Sequence, residues 1–146
     1  MTENHTMSLA SGIAAFESKQ FSRALPLLTP IADQGNADAQ YRIAIMYQNG
    51  LGVVRNELLA FKWMAAAAKQ GLGLAQHGLG FMYMEGDCIQ KDAQKAINWF
   101  TLAADQGLAG SQTTLGMMYE QGNGVAKDPE RAKHWYRLAG FEYPAS

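Results

Sequence analysis

A period of 36 residues constrains this chain more than any other feature. Gln34-Gly35, Gln70-Gly71 and Gln106-Gly107 recur at that interval, and so do Met46-Tyr47, Met82-Tyr83 and Met118-Tyr119. The same frame holds Ala24, Ala60 and Ala96; Ala32, Ala68 and Ala104; Gln40, Gln76 and Gln112; and Gly50, Gly86 and Gly122. Three copies occupy 21–128 in unbroken register. The frame runs on into Ala132, Trp135 and Tyr136, which match Ala96, Trp99 and Phe100, so a fourth copy is cut off halfway. Such a period marks an array of supersecondary units, each too small to bury its apolar face alone.

Within a copy the apolar residues fall at helical spacing: Ala60, Trp63, Met64 and Ala67 stand at i, i+3, i+4 and i+7, as do Ala96, Trp99, Phe100 and Ala103. Asn56, Asp92 and Asp128 precede these helices as N-caps, and Pro129 takes a first helical position, where its missing N–H is harmless. Gly35, Gly71 and Gly107 close helices by adopting the left-handed conformation. A second helix follows each, over 37–49, 73–85 and 109–121. The loops between are Gly50-x-Gly52-Val53, Gly86-x-Cys88-Ile89 and Gly122-x-Gly124-Val125. Glycine inside a helix costs about 1 kcal/mol against alanine, so the small residues Ala44, Gly80 and Gly116 point to close helix–helix approach. Pro26 and Pro30 fall within the helix expected at 21–34 and predict a kink.

The 146 residues suffice for a core without metal or disulfide staples. With 12 Lys and Arg against 13 Asp and Glu, no basic stripe exists to neutralise phosphates, which excludes nucleic acid as an expected partner. Cys88 is the single cysteine, so folding requires neither an intrachain disulfide nor an oxidising compartment. Residues 1–7 are polar, lack Lys and Arg, and read as a flexible N-terminus rather than a secretory signal. Charged or amide residues interrupt every apolar run, so no membrane insertion is expected, and the cytoplasm is the compartment this pattern favours.

The run Ala75-Gln76-x-x-Leu79-Gly80-x-Met82-Tyr83, then Gly86, Asp92, Lys95-Ala96, Trp99-Phe100, Ala103-Ala104 and Gln106-Gly107, resembles the Sel-one-like repeat (SLR), a branch of the tetratricopeptide-type solenoids. The opening Gly12-x-x-x-Phe16-x-x-x-x-Phe21-x-x-Ala24 is similar to a tetratricopeptide-style first hairpin with a short turn. The resemblance implies an all-α chain of about eight helices, a right-handed alpha-alpha solenoid of tetratricopeptide or Sel-one-like helix pairs over 8–140. Its first hairpin would be 8–35 and its truncated last copy 129–140, with 141–146 a tail. A cysteine-rich branch of the family links the two helices of each repeat by a disulfide, which this chain cannot do; Cys88 stands where Gly52 and Gly124 stand.

The resemblance further implies a concave surface lined by the helices at 37–49, 73–85 and 109–121. Ile43, Leu79 and Leu115, with the small residue and tyrosine that follow each, would point into the stack. The complementary face is Tyr41, Ile45 and Gln48; His77, Phe81 and Met84; and Thr113, Met117 and Glu120. Ile45, Phe81 and Met117 share one frame position as an apolar row, and exposed apolar rows mark contact sites. The competing reading is that superhelical curvature or the C-terminal segment covers the row. His77 has no second ligand at i±3 or i±4, so metal is not expected, nor is any cofactor.

Glu57, Asp92, Asp105, Glu120, Asp128 and Glu130 sit at caps, helix ends or solvent faces, and no Ser-His-Asp, Cys-His or phosphate-loop pattern is present. The sequence therefore predicts no enzyme but an adaptor or scaffold that binds another protein, or a peptide segment of one, on the concave face. Two alternatives stand beside it: a self-associating module joined through the C-terminal helix, and the hydrolase activity suggested for some members of the family. At that end, either Phe141 and Tyr143 fold back over Trp135, Tyr136 and Leu138 as a cap, or the helix docks on another copy or a partner.

Overall fold

The computed structural model describes residues 2–142, with side chains from Thr6 onward. Among them are eight helices and no strand: α1 (Thr2–Glu17), α2 (Phe21–Asp33), α3 (Ala37–Asn49), α4 (Glu57–Lys69), α5 (Gly73–Glu85), α6 (Ala93–Asp105), α7 (Ala109–Gln121) and α8 (Pro129–Leu138). Two compact units divide between Ala75 and Gln76. In the first, α1 packs on α2, α2 on α3, and α3 on α4; in the second, α6 packs on α7 and α7 on α8.

Helix covers most of the 1–7 stretch that the sequence reads as a flexible N-terminus: α1 begins at Thr2, and no proline or glycine interrupts the chain before Gly12. Both prolines are accommodated in α2, which is helical without a break from Phe21 to Asp33. The caps are as the sequence reads: Asn56, Asp92 and Asp128 each accept, through Oδ1, the backbone N–H three residues on, at 3.0, 3.0 and 3.1 Å. Asn36 does the same for α3, accepting from Ala39 N at 2.9 Å. Gly35, Gly71 and Gly107 take φ of 101°, 96° and 92°, conformations only glycine adopts freely.

The three long loops share one hydrogen-bond plan. Past each helix end, the N–H of Leu51, Asp87 or Asn123 donates to the carbonyl of Met46, Met82 or Met118. Each capping residue then returns its own N–H to the tyrosine carbonyl, Asn56 to Tyr47, Asp92 to Tyr83 and Asp128 to Tyr119, all at 2.9 Å. A Cβ on Gly52 would lie 2.6 Å from the Phe21 carbonyl carbon, and one on Gly124 would meet the Ala93 methyl. Cys88 takes the same left-handed backbone, with φ of 69°.

The small residues mark where paired helices touch. A Cβ on Gly80 would stand 2.8 Å from the Phe100 ring, and one on Gly116 2.9 Å from the Tyr136 ring. Gly12 meets Leu28 in the same way, at 2.6 Å. Leu28, Met64, Phe100 and Tyr136 share a frame position, while Gly12 lies four residues later than that frame requires, matching the shorter first turn. Leu28, Phe100 and Tyr136 thus each nest on a bare stretch of helix backbone.

Buried amides tie the helices together. Gln40 donates through Nε2 to the Ala32 carbonyl at 3.1 Å and accepts from Gln70 Nε2 at 2.9 Å. In the second unit Gln106 Nε2 donates to Gln76 Oε1 at 2.8 Å, and Gln112 Nε2 to the Ala104 carbonyl at 3.1 Å. Such contacts are the price of placing polar side chains in a core. At the last helix, Trp135 packs against a cluster of Ala96, Ile97, Phe100, Ala104, Leu115 and Met118. The Phe141 ring meets Tyr136 edge-on at 6.4 Å yet stays 56% exposed, so it touches α8 without covering it. Tyr143, the other half of the expected cap, lies outside the described residues.

Candidate partner-binding face

The helical period places the face residues on one side of each helix, opposite the buried Ile43, Leu79 and Leu115. In the first unit Tyr41, Ile45 and Gln48 are all half-buried on α3. Burial raises the Tyr41 phenol above its ordinary value; Arg42 opposes this and Asp38 adds to it. Arg42 is itself held by Asp38 at 2.6 Å and Glu17 at 3.6 Å, over the Phe16 ring.

The second unit carries the more open part. Phe81 on α5 is 37% exposed and Met117 on α7 is 45% exposed. They hold equivalent frame positions on helices joined by a hydrogen bond of 2.6 Å between His77 Nδ1 and Ser111 Oγ. Glu120 is exposed, and Thr113 is half-buried with its hydroxyl donating to the Ala109 carbonyl at 2.9 Å. Met84 stands apart from this group: it is partly buried and packs on the core cluster.

His77 is the hub. Its ring lies edge-on to Phe81 at 4.8 Å and to Phe100 at 5.4 Å, and those two phenyl rings meet each other edge-on at 5.2 Å. Burial holds its pKa below the ordinary histidine value. The Ser111 side chain is 0% exposed, so its oxygen is sealed from any substrate carbonyl and the pair braces two helices instead of forming a nucleophile. The sequence carried one sign of this pair, since Ser111 is the polar residue in a position otherwise held by Ala39 and Ala75.

Among the described residues no three His, Cys, Asp or Glu side chains gather as a metal site would, and no helix is long and apolar enough to cross a membrane.

Against known proteins, the Sel1 repeat model matches residues 37–72, 73–108 and 109–140. A Sel1 repeat protein from Oxalobacter formigenes superposes with a TM-score of 0.84 at 34% identity, over 90% of this chain and 53% of its own. A protective antigen of uropathogenic Escherichia coli strains, displaying an SLR fold, superposes with a TM-score of 0.85 at 34% identity, over 92% of this chain and 30% of its own. This chain thus spans about half the length of the first and under a third of the second. No curated protein matches it.

Proposed function

The chain belongs to the Sel1 repeat family, and on that premise we propose that it is an adaptor that grips a segment of another protein through the face carrying Phe81 and Met117. Sel1 repeats form helical scaffolds, generally non-catalytic, that typically mediate protein interactions. The observation that supports this particular face is the exposure of Phe81 and Met117 on helices braced by His77 and Ser111. Aromatic and methionine side chains are enriched in interface centres, where a few desolvated anchors carry most of the binding energy. Thr113 and Glu120 supply a polar border in the second unit, and Tyr41, Ile45 and Gln48 offer the equivalent frame positions on α3. Because no disulfide is required, the cytoplasm suits the fold.

Affinity capture with quantitative mass spectrometry, comparing wild type with a folded Phe81→Ala/Met117→Glu variant, tests the reading. Proteins held through this face drop out with the variant; undiminished recovery removes the site.

A second reading follows from the last helix, where Leu138 and Phe141 are 55% and 56% exposed. It makes α8 a self-association surface. Light scattering that shows only monomer across a concentration range excludes it.

A further inference from the structure

The triad of His77, Phe81 and Phe100 runs from the surface to the core. Phe100 is fully buried, Phe81 is exposed, and His77 meets both rings edge-on. Its polar anchor, Ser111, is fully buried on the neighbouring helix. A neutral imidazole satisfies this setting. A second ring proton would bring charge between two phenyl rings and into a helix interface, where burial disfavours it. The ionisable side chains of the packed helices are Tyr83 and Glu85 on α5, Lys95 and Asp105 on α6, and Tyr119 and Glu120 on α7. Burial is what holds the His77 ring toward its neutral form.

We propose that His77 is a proton-operated latch between α5 and α7: neutral, it bonds to Ser111 and holds Phe81 against Phe100; protonated, it leaves for solvent and Phe81 loses that support. The proposal rests on the reading of Phe81 and Met117 as partner anchors and adds a regulator to it. Acid loosens the partner, and neutral pH restores the grip. Histidine is the side chain suited to this, because its charge changes between about pH 5 and about pH 8.

The protein alone tests the latch. Nuclear Overhauser contacts of Phe81 with His77 and with Phe100 are followed by NMR from about pH 8 to about pH 5, in wild type and in His77→Gln, which keeps a polar group but cannot titrate. Both contacts are expected to fade as wild-type His77 titrates, while the Phe81–Phe100 contact persists in His77→Gln at every pH. A Phe81–Phe100 contact that survives the full titration of His77 in wild type overturns the proposal without recourse to any variant. So does an equal loss in His77→Gln. Capture at the two ends of the pH range then reads the consequence, each protein being compared with its own recovery at neutral pH: an acid loss in wild type that His77→Gln does not share supports the latch, whereas an equal proportional loss from both counts against it. If no protein depends on Phe81 and Met117 at any pH, the partner-face reading fails, while the NMR result still decides the latch.

Discussion

Phe100 occupies the space that a side chain on Gly80 would need, its ring 2.8 Å from where that Cβ would stand. Phe100 is fully buried and has no room to withdraw. Gly80→Ala gains helix propensity of about 1 kcal/mol but forces overpacking that costs roughly 1–3 kcal/mol, so a net loss of stability is expected. Gly116→Ala meets Tyr136 at 2.9 Å, and Tyr136 is half-buried on the last helix and can shift. Urea unfolding of the two variants should therefore rank Gly80→Ala as the more damaging. Equal midpoints would show that the closeness of the Phe100 ring does not matter.

Gln40 is buried, donating to the Ala32 carbonyl and accepting from the exposed Gln70 amide. Gln70→Leu leaves the side-chain oxygen of buried Gln40 without the donor it has here, at a cost of about 1–3 kcal/mol. Denaturation should show that loss, while Gln40→Leu together with Gln70→Leu should recover part of it, since replacing both partners removes the orphaned acceptor. A double variant no more stable than Gln70→Leu alone would contradict the pairing.

Cys88 carries a side chain at φ of 69°, where its two counterparts are glycine. A left-handed backbone costs an ordinary residue roughly 1–2 kcal/mol, and glycine surrenders part of that advantage through its looser unfolded state. Cys88→Gly is expected to raise stability by about 0.5–1 kcal/mol, and Cys88→Val to lower it. Thermal unfolding of the three proteins in reductant measures the order.

Burial lowers the His77 pKa from 6.5. On acidification the unfolded chain therefore binds this proton first. The contribution of the neutral ring is full above about pH 6.5 and declines as pH falls from there toward the lower folded value. The wild-type melting temperature should fall more than that of His77→Gln between about pH 7.5 and about pH 5.5. Parallel pH profiles would rule out this coupling.

Much of the helical framework was legible because every copy repeats the same local signals. The helices at 37–49, 73–85 and 109–121, the caps Asn56, Asp92 and Asp128, and the closing glycines each follow from a few adjacent residues. What escaped are relations between side chains far apart in sequence. Gln40, Gln70, Gln76 and Gln106 all stood in the frame, but nothing local says that an amide on one helix meets another thirty residues on. His77 looked solitary because ligand spacing was sought on its own helix, whereas its partner Ser111 lies on α7. Met84 was assigned to the outer face by a strict i+7 count, yet its long flexible side chain packs on the core instead. At the N-terminus, polar composition suggested a flexible segment, and the absence of breakers allowed α1 to extend through it.

The amide pairs also decide where such a chain can change length. Adding one residue inside a helix turns everything beyond it by about 100°, which would swing Gln40 away from Gln70, or Gln76 away from Gln106. Insertions are therefore best absorbed in the stretches 50–56 and 86–92, where no helical phase is carried across. Gain or loss of a whole copy leaves every surviving pair in phase, so the molecule is free to vary by duplication where it resists variation by single residues.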